Sequence, residues 1–300
     1  MWNRREWFGL GFGAAVPLRA APRIDRSRIG IITDECAKSP EDAIAFAKRY
    51  GIQWLELRGV PGQKVRYEVL PEADLKVAAR QFADNGIKIS FLNAGLLKHW
   101  LPGTEPANPN HRRPDHEEQF RRRLEYLGLA LRAARILGVD KVRVFSFNRV
   151  ADPQTVFAQL VDILGEMVEI AGRERIRLLL ENEGSQNVAT CAEVAAVLRQ
   201  IDSPWLGVNW DPLNGVRFKE PPLPDGYAKL PKERIGNVQI KGKSILTGWD
   251  DQWLDWKGIF AALERDGYAE QVGLETHIFG ENQIPWSHQA IQEILRMVGS

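Results

Sequence analysis

The chain has 300 residues, of which 44% are hydrophobic and 26% are charged, as in an ordinary soluble globular protein. Its 40 lysines and arginines nearly balance 39 aspartates and glutamates, which argues against a nucleic-acid-binding protein and against a disordered acidic tail. The two cysteines, Cys36 and Cys191, form no CxxC pair or disulfide framework, and no apolar run is long enough for a membrane span.

The first 22 residues have the features of an export signal. Arg4 and Arg5 precede a short apolar run rich in glycine, and the small residues Ala20 and Ala21 follow it. This order is typical of a secretory leader, and the paired arginines resemble a twin-arginine leader. We therefore predict that residues 1–22 direct export and that residues 23–300 form a periplasmic domain. A cytoplasmic protein with an amphipathic N-terminus is the alternative.

Eight short runs rich in valine, isoleucine and leucine follow along the chain. Such runs are typical of strands that are buried on both faces of a parallel sheet. The predicted strands are Ile29–Thr33, Trp54–Arg58, Ile87–Leu92, Lys141–Phe147, Ile176–Glu181, Leu206–Asp211, Val238–Lys241 and Val272–Thr276.

Helical patterns separate most of these strands. Serine, aspartate or threonine precedes several of them and glycine follows others, which are ordinary signals for the start and the end of a helix. The predicted helices are Pro40–Tyr50, Pro71–Asn85, Asp115–Leu137, Pro153–Gly172, Cys191–Ile201, Trp256–Asp266 and Ser287–Val298. The proline-rich segment Pro212–Asn237 is predicted to be a long loop with a short irregular helix.

The alternation of strand and helix lacks the glycine-rich fingerprint of a dinucleotide-binding fold. It therefore favours a closed barrel over an open doubly wound sheet. No internal repeat, linker or low-complexity segment marks a second domain. The sequence predicts an α/β fold, a single-domain (β/α)8 TIM barrel.

Acidic residues lie at the ends of three predicted strands: Glu181 on the fifth, Asp211 on the sixth and Glu275 on the eighth. The C-terminal ends of barrel strands carry the active site, so these carboxylates would repel one another there unless they share a divalent cation. Oxygen donors favour Mn²⁺ or Mg²⁺ over a thiolate-bound zinc. A salt bridge or helix cap is the alternative for each acid alone, but three equivalent positions favour a common site.

The segments around these acids resemble the xylose-isomerase-like TIM barrels of sugar-phosphate isomerases and epimerases. The matching segments are Leu180-Glu181-Asn182, Trp210-Asp211-Pro212-Leu213-Asn214, Val238-Gln239-Ile240-Lys241 and Gly273-Leu274-Glu275. The resemblance covers nearly the whole predicted domain. It implies a metal site of Glu181, Asp211, Gln239 and Glu275, with Glu181 and Glu275 as an acid/base pair on opposite faces of the substrate.

The resemblance further implies a metal-dependent isomerase or epimerase that removes a proton next to a carbonyl and passes through an enediolate. Return of the proton to the opposite face gives epimerisation, and return to the neighbouring carbon gives isomerisation. Gln239 departs from the family, in which most members carry histidine, and a neutral amide oxygen has less affinity for transition metals. Mn²⁺ is the expected cofactor, with Mg²⁺ or Co²⁺ as alternatives.

Further side chains near the strand ends are expected to contact a sugar. Lys241 follows Gln239 at the strand period of two and should point the same way, and Trp100 lies in the long loop 94–114, where it offers an apolar wall. For Glu56 and Arg143, internal salt bridges are the preferred interpretation. The candidate substrate-binding residues are Glu56, Asn93, Trp100, Arg143, Asn214, Lys241 and His277.

Other functions share parts of this pattern. A DNA-repair endonuclease of the same superfamily would need histidines at several strand ends and a basic face, whereas only His277 lies at a predicted strand end. A lyase, either a keto-inositol dehydratase or a deglycosylase, would use the same cation and one glutamate base and stays open. A non-catalytic exported carbohydrate-binding barrel also stays open, although it would not need both Glu181 and Glu275. The expected partner is a small sugar, with no nucleic acid and no membrane; relatives suggest a homo-oligomer.

Overall fold

The computed structural model describes residues 23–111, 113–247 and 254–299, so the predicted export segment, residues 1–22, lies outside the described residues. Eight strands alternate with helices along the described chain. Strands β1 to β8 are Ile29–Ile31, Trp54–Leu57, Lys88–Leu96, Lys141–Val144, Arg177–Glu181, Leu206–Trp210, Ile235–Lys241 and Val272–Glu275.

The strands form one parallel sheet in the order β1-β8-β7-β6-β5-β4-β3-β2. The two end strands meet beside a single parallel bridge between Ile32 and Glu56, which leaves the barrel nearly closed. The predicted single-domain (β/α)8 TIM barrel is therefore confirmed.

Eleven α-helices, α1 to α11, accompany the strands in the described residues. They are Thr33–Cys36, Pro40–Tyr50, Glu72–Asp84, His116–Arg121, Arg123–Leu137, Phe157–Arg173, Cys191–Gln200, Tyr227–Lys229, Gly242–Leu246, Trp256–Arg265 and Gln283–Val298. Local capping explains several of the ends. The hydroxyl of Ser39 accepts a hydrogen bond from the backbone N–H of Asp42, and Thr190 and Glu193 form a reciprocal capping box at the start of α7.

A few boundaries differ from those expected. The predicted helix Asp115–Leu137 is divided at Arg122, and α11 begins at Gln283 rather than Ser287. Proline is tolerated in the first turn of a helix because its missing N–H would have no partner there, so Pro285 does not prevent this earlier start. The segment Pro212–Asn237 holds four short helical turns instead of one, and β7 already begins within it at Ile235.

The barrel separates an apolar layer from a polar interior. Buried leucine, isoleucine, valine and phenylalanine residues fill the space between sheet and helices. Towards the C-terminal end of the strands, which we call the mouth, the barrel interior holds fully buried polar side chains instead. They include Glu56, Asn93, Arg143, Glu181, Asn209, Asn237 and Gln239. Within the described residues, no helix combines the length and the hydropathy that crossing a bilayer requires.

Candidate active site at the barrel mouth

Three strand ends deliver three carboxylates to one point of the mouth. Glu181 is the last residue of β5, Asp211 directly follows β6, and Glu275 is the last residue of β8. All three are buried, and one carboxylate oxygen of each lies within 4.8 Å of the others. We call them the acid triad. The structure thus brings together the three acids that the sequence predicted to converge.

Every acid of the triad has a cationic partner, and two of the acids share one. Arg143 Nη1 lies 3.0 Å from Glu181 Oε2, and Lys241 Nζ lies 3.0 Å from Asp211 Oδ2. The same ammonium donates a hydrogen bond to Glu275 Oε2. Buried charges of one sign are costly unless opposite charges compensate them, so these cations allow the triad to form in the absence of a metal ion.

The close charges change the proton affinities of the mouth. Burial raises the pKa of Asp211 to about 6, and the neighbouring acids add to the rise while Lys241 opposes it. Burial alone would raise the pKa of Glu275, but Lys241 and other nearby partners hold it well below its usual range. Burial would lower the pKa of Lys241, but the facing carboxylates of Asp211 and Glu275 raise it well above its usual range. An ammonium and an ionised Glu275 therefore face each other.

The donor set is suited to a divalent cation. Asp211 Oδ2 is buried and has no hydrogen-bond partner in the described part of the chain, because its contact with Lys241 is an ion pair without hydrogen-bond geometry. The buried amide oxygen of Gln239 also has no hydrogen-bond partner among the described residues. Carboxylate and amide oxygens are the donors that hard cations prefer. A cation bound to Asp211 and Glu275 would compete with the Lys241 ammonium for the same oxygens.

Deeper in the barrel, the carboxylate of Glu56 accepts hydrogen bonds from three side-chain amides. Asn93 Nδ2 and Gln239 Nε2 each donate to Oε2 over 2.7 Å, and Asn237 Nδ2 donates to Oε1 over 3.2 Å. Burial raises the pKa of Glu56, and these three amides oppose the rise. We call Glu56, Asn93, Asn237 and Gln239 the interior amide network. Two expected sugar contacts, Glu56 and Asn93, thus bind each other. Glu56 has three amide partners rather than the salt bridge that the sequence favoured.

The other expected contacts are distributed around the triad. Arg143 forms the internal ion pair with Glu181 and also donates to the backbone carbonyl of Asn93 over 3.1 Å. Asn214 Nδ2 donates to the carbonyl of Asn182 over 2.8 Å. His277 Nδ1 lies 3.5 Å from Glu275 Oε1.

Trp100 is buried within its own loop. Its indole N–H donates to the carbonyl of Thr104 over 2.6 Å, and its backbone N–H donates to His116 Nδ1 over 3.0 Å. These contacts fix the loop that follows β3. They show the indole engaged in the packing of that loop, whereas the sequence had suggested a wall against a sugar.

Two residues of the mouth, Asn209 and Glu35, were missing from the predicted site. Asn209 Nδ2 donates to Glu181 Oε2 over 2.9 Å, and Arg58 bridges Glu35 Oε1 at 2.8 Å and Glu275 Oε1 at 3.3 Å. The strand period of two would have indicated Asn209, because it precedes Asp211 by two residues and therefore faces the same side. Glu35 closely follows the first strand, so the sequence could also have indicated that it lies at the mouth.

Comparison with family models gives the family of the chain, and comparison with solved structures gives the same fold. None of the curated proteins matches the chain by sequence. The model of the family described as "xylose isomerase-like TIM barrel" matches residues 44–298. Among solved structures, a D-psicose 3-epimerase from Clostridium cellulolyticum H10, solved with D-tagatose, is 15% identical; the match covers 90% of this chain and 99% of that one, with a TM-score of 0.66.

Two further structures have the same fold. A probable 3-DHS dehydratase, AsbF from Bacillus anthracis, is 17% identical over 89% of this chain and 98% of that one, with a TM-score of 0.66. An IolI protein that was solved with a zinc atom is 16% identical over 90% of this chain and 96% of that one, also with a TM-score of 0.66. Identities this low show the fold alone, whereas the family model matches most of the sequence. The chain belongs to the xylose isomerase-like TIM barrel family.

Proposed function

We propose that this protein is a sugar isomerase or epimerase that moves a proton at a carbon next to a carbonyl group. The observation that carries the proposal is the convergence of the acid triad within 4.8 Å at the barrel mouth. Membership of the family supports it, as do the sugar epimerases among the similar structures. We further propose a small keto-sugar as the substrate.

The residues proposed to hold a divalent cation are Glu181, Asp211, Gln239 and Glu275. Their donors are all oxygens, which favours Mn²⁺, with Mg²⁺ or Co²⁺ as alternatives. When bound, such a cation would polarise the substrate carbonyl and make the neighbouring C–H more acidic.

Glu181 and Glu275 are the proposed acid/base pair. The partners of Glu275 keep it in the ionised form that a general base requires. Arg143 and Asn209 both donate to Oε2 of Glu181, and no hydrogen bond to its Oε1 is found among the described residues. Oε1 is therefore the oxygen that can contact substrate. The remaining candidates, Asn214, Lys241 and His277, are proposed to orient the sugar hydroxyls.

Exchange of a substrate proton with solvent tests this function directly. The metal-supplemented protein is incubated in D₂O with a panel of keto-sugars, and deuterium incorporation is followed by NMR. Glu181→Gln and Glu275→Gln should each reduce incorporation by roughly 10²-fold or more, because general acid–base catalysis contributes about 10²–10⁴-fold.

Glu68→Gln is the matched control, because Glu68 is a buried carboxylate that binds Arg66 and lies outside the proposed site. It should retain full incorporation. Incorporation that survives in both site variants would refute the proposed pair, and loss of water or an alcohol from the substrate would indicate a lyase instead.

The leader-like segment of residues 1–22 bears on the substrate. Phosphorylated sugars are scarce outside the cytoplasm, so export would favour a free or oxidised sugar. This part of the proposal depends on export, which is tested separately below.

A further inference from the structure

The side-chain amide of Gln239 is held at one end only. Its Nε2 donates to Glu56 Oε2 over 2.7 Å. Its Oε1 is buried and has no hydrogen-bond partner within the described chain. The Oδ1 atoms of Asn93 and Asn237 are also buried and unpaired within the described chain. Buried polar atoms are nearly always paired, so these amide oxygens point to a ligand or water that completes them. On β7, Gln239 lies one strand period closer to the level of Glu275 than Asn237 does.

Glu56 determines which end of the amide is left free. Both oxygens of the Glu56 carboxyl group already receive N–H groups, Oε2 from Asn93 and Oε1 from Asn237. Such donors favour the ionised form, which can only accept hydrogen bonds. It therefore binds the NH₂ group of Gln239 and turns the carbonyl oxygen towards another part of the interior. Rotation of the amide by half a turn would place oxygen against oxygen at Glu56.

The position of Glu56 is itself fixed by the lack of a side chain on β8. A Cβ atom at Gly273 would lie only 1.7 Å from Glu56 Oε1, so the carboxylate occupies the space that any larger residue would fill. Glycine at this position is therefore required by the close approach of Glu56.

The strand register puts Gln239 beside the acid triad. Gln239 pairs with Gly273, and Lys241 pairs with Glu275. Gln239 therefore lies two residues before the level of Glu275 on the neighbouring strand and faces the same side. On the other side, Val238 pairs with Trp210, the residue directly before Asp211. Gln239 thus lies between the two strands that carry Asp211 and Glu275.

We infer that Glu56 is a positioning residue that holds the Gln239 amide so that its Oε1 serves as the fourth oxygen donor of the cation site. The inference rests on the cation site of the proposed function. An amide that is already held with its oxygen free does not have to be ordered when the cation binds. The donor set is then entirely oxygen and selects hard cations.

Binding of Mn²⁺ alone tests the inference without any substrate. The full chain is treated with a chelator, and free Mn²⁺ is measured by electron paramagnetic resonance during a titration. Glu56→Gln should weaken binding by about 10- to 100-fold, the usual effect of removing a group that orients a metal ligand. Gln239→Leu should weaken it by a similar factor, and the double variant should bind no more weakly than Gln239→Leu, because both changes remove the same donor. Glu68→Gln again serves as the matched control.

The outcomes separate the inference from the proposed function. If the unmodified chain binds no Mn²⁺, the cation site and the inference both fail. If the unmodified chain and Glu56→Gln bind Mn²⁺ equally well, only the inference fails. It also fails if the two single effects multiply in the double variant, since Glu56 would then act through its charge and not through the amide.

A third variant covers the case in which Glu56→Gln does not fold, as judged by circular dichroism. Gln239→His keeps an N–H donor for Glu56 and offers a ring nitrogen to the cation. The ratio of Zn²⁺ to Mn²⁺ affinity should rise at least about tenfold, because imidazole prefers the later transition metals. An unchanged ratio would show that position 239 supplies no donor and would overturn the inference.

Discussion

Lys241 shows that one side chain can contact two acids of the mouth. Its ammonium contacts two acids of the triad, and its side chain is only 3% exposed. Period two predicted that Lys241 would share the interior face with Gln239, and both side chains do lie inside the barrel. The two-residue period of a strand could not predict their different partners. It shows which face a side chain lies on, but it does not show how far into the barrel the side chain reaches. The same limit applies to Glu56 on β2, whose amide partners come from the adjacent strand β3 and from the non-adjacent strand β7.

The pairing of Lys241 predicts a stability change that depends on metal. Without a cation, Lys241→Met should lower the free energy of unfolding by about 3 kcal/mol or more, because it leaves two buried carboxylates without their counterion. Saturating Mn²⁺ should recover much of this loss, since the metal would supply the missing positive charge. Urea unfolding with Mn²⁺ and with EDTA measures both values.

Lys257→Met provides the control for Lys241→Met, because Lys257 is an exposed lysine on α10. It should change neither value appreciably. An equal loss with and without Mn²⁺ would contradict the idea that the ammonium and the cation occupy the same part of the mouth.

The strands and helices were largely readable because their signals are local. Caps and stop residues placed α2 at its predicted residues Pro40–Tyr50, and all eight strands overlap their predicted runs. The predicted boundaries are wrong where tertiary contacts determine the end of an element. Strand β3 continues to Leu96, four residues past the predicted end at Leu92, where it pairs with Val144 of β4. The loop after β3 is likewise organised by buried contacts of His99 and Trp100 that no local pattern reveals.

That loop should make the protein sensitive to acid. Burial lowers the pKa of His99 to about 4, and its Nδ1–H donates to the carbonyl of Trp100. The unfolded chain takes up a proton near pH 6.5, whereas the folded chain resists until about pH 4. The contribution of His99 is therefore fully present above pH 6.5, and the free energy of unfolding should fall by roughly 3 kcal/mol between these values.

Urea unfolding at a series of pH values tests the role of His99. His99→Phe should flatten the acid slope, because phenylalanine can keep the ring contact with Phe147 but cannot bind a proton. Asn108→Ala, in the same loop, should keep the slope of the unmodified chain. A slope that is the same in His99→Phe would assign the acid sensitivity to other groups.

At the scale of the whole molecule, the first residues that the structure describes already pack against the barrel. The backbone N–H of Ile24 donates to Glu264 Oε1 over 2.6 Å, and the Ile24 side chain is buried in the core. These contacts attach the start of the barrel to α10. The fold class and the family were predictable from alternation and from the motifs at the strand ends, because both are properties of the chain as a whole.

The attachment at Ile24 supports a prediction about export. A chain that begins at residue 23 should retain the thermal midpoint and the Mn²⁺ affinity of the full chain, since it keeps the contacts of Ile24 with α10 and the core. Protein recovered from the periplasm of an expressing cell should have a mass close to that of residues 23–300. Recovery only from the cytoplasm, with a mass that includes Met1, would refute export and with it the preference for a non-phosphorylated sugar.

The seam of the barrel passes through the candidate site. Strands β1 and β2 meet beside one bridge, while Arg58, which follows β2, binds Glu35 after β1 and Glu275 at the end of β8. One guanidinium thus ties together the two margins of the sheet and also holds a proposed proton acceptor. Replacing Arg58 would therefore change the charge environment of Glu275 and would also weaken the junction between β1 and β2. The closure of the sheet and the environment of Glu275 therefore depend on the same side chain.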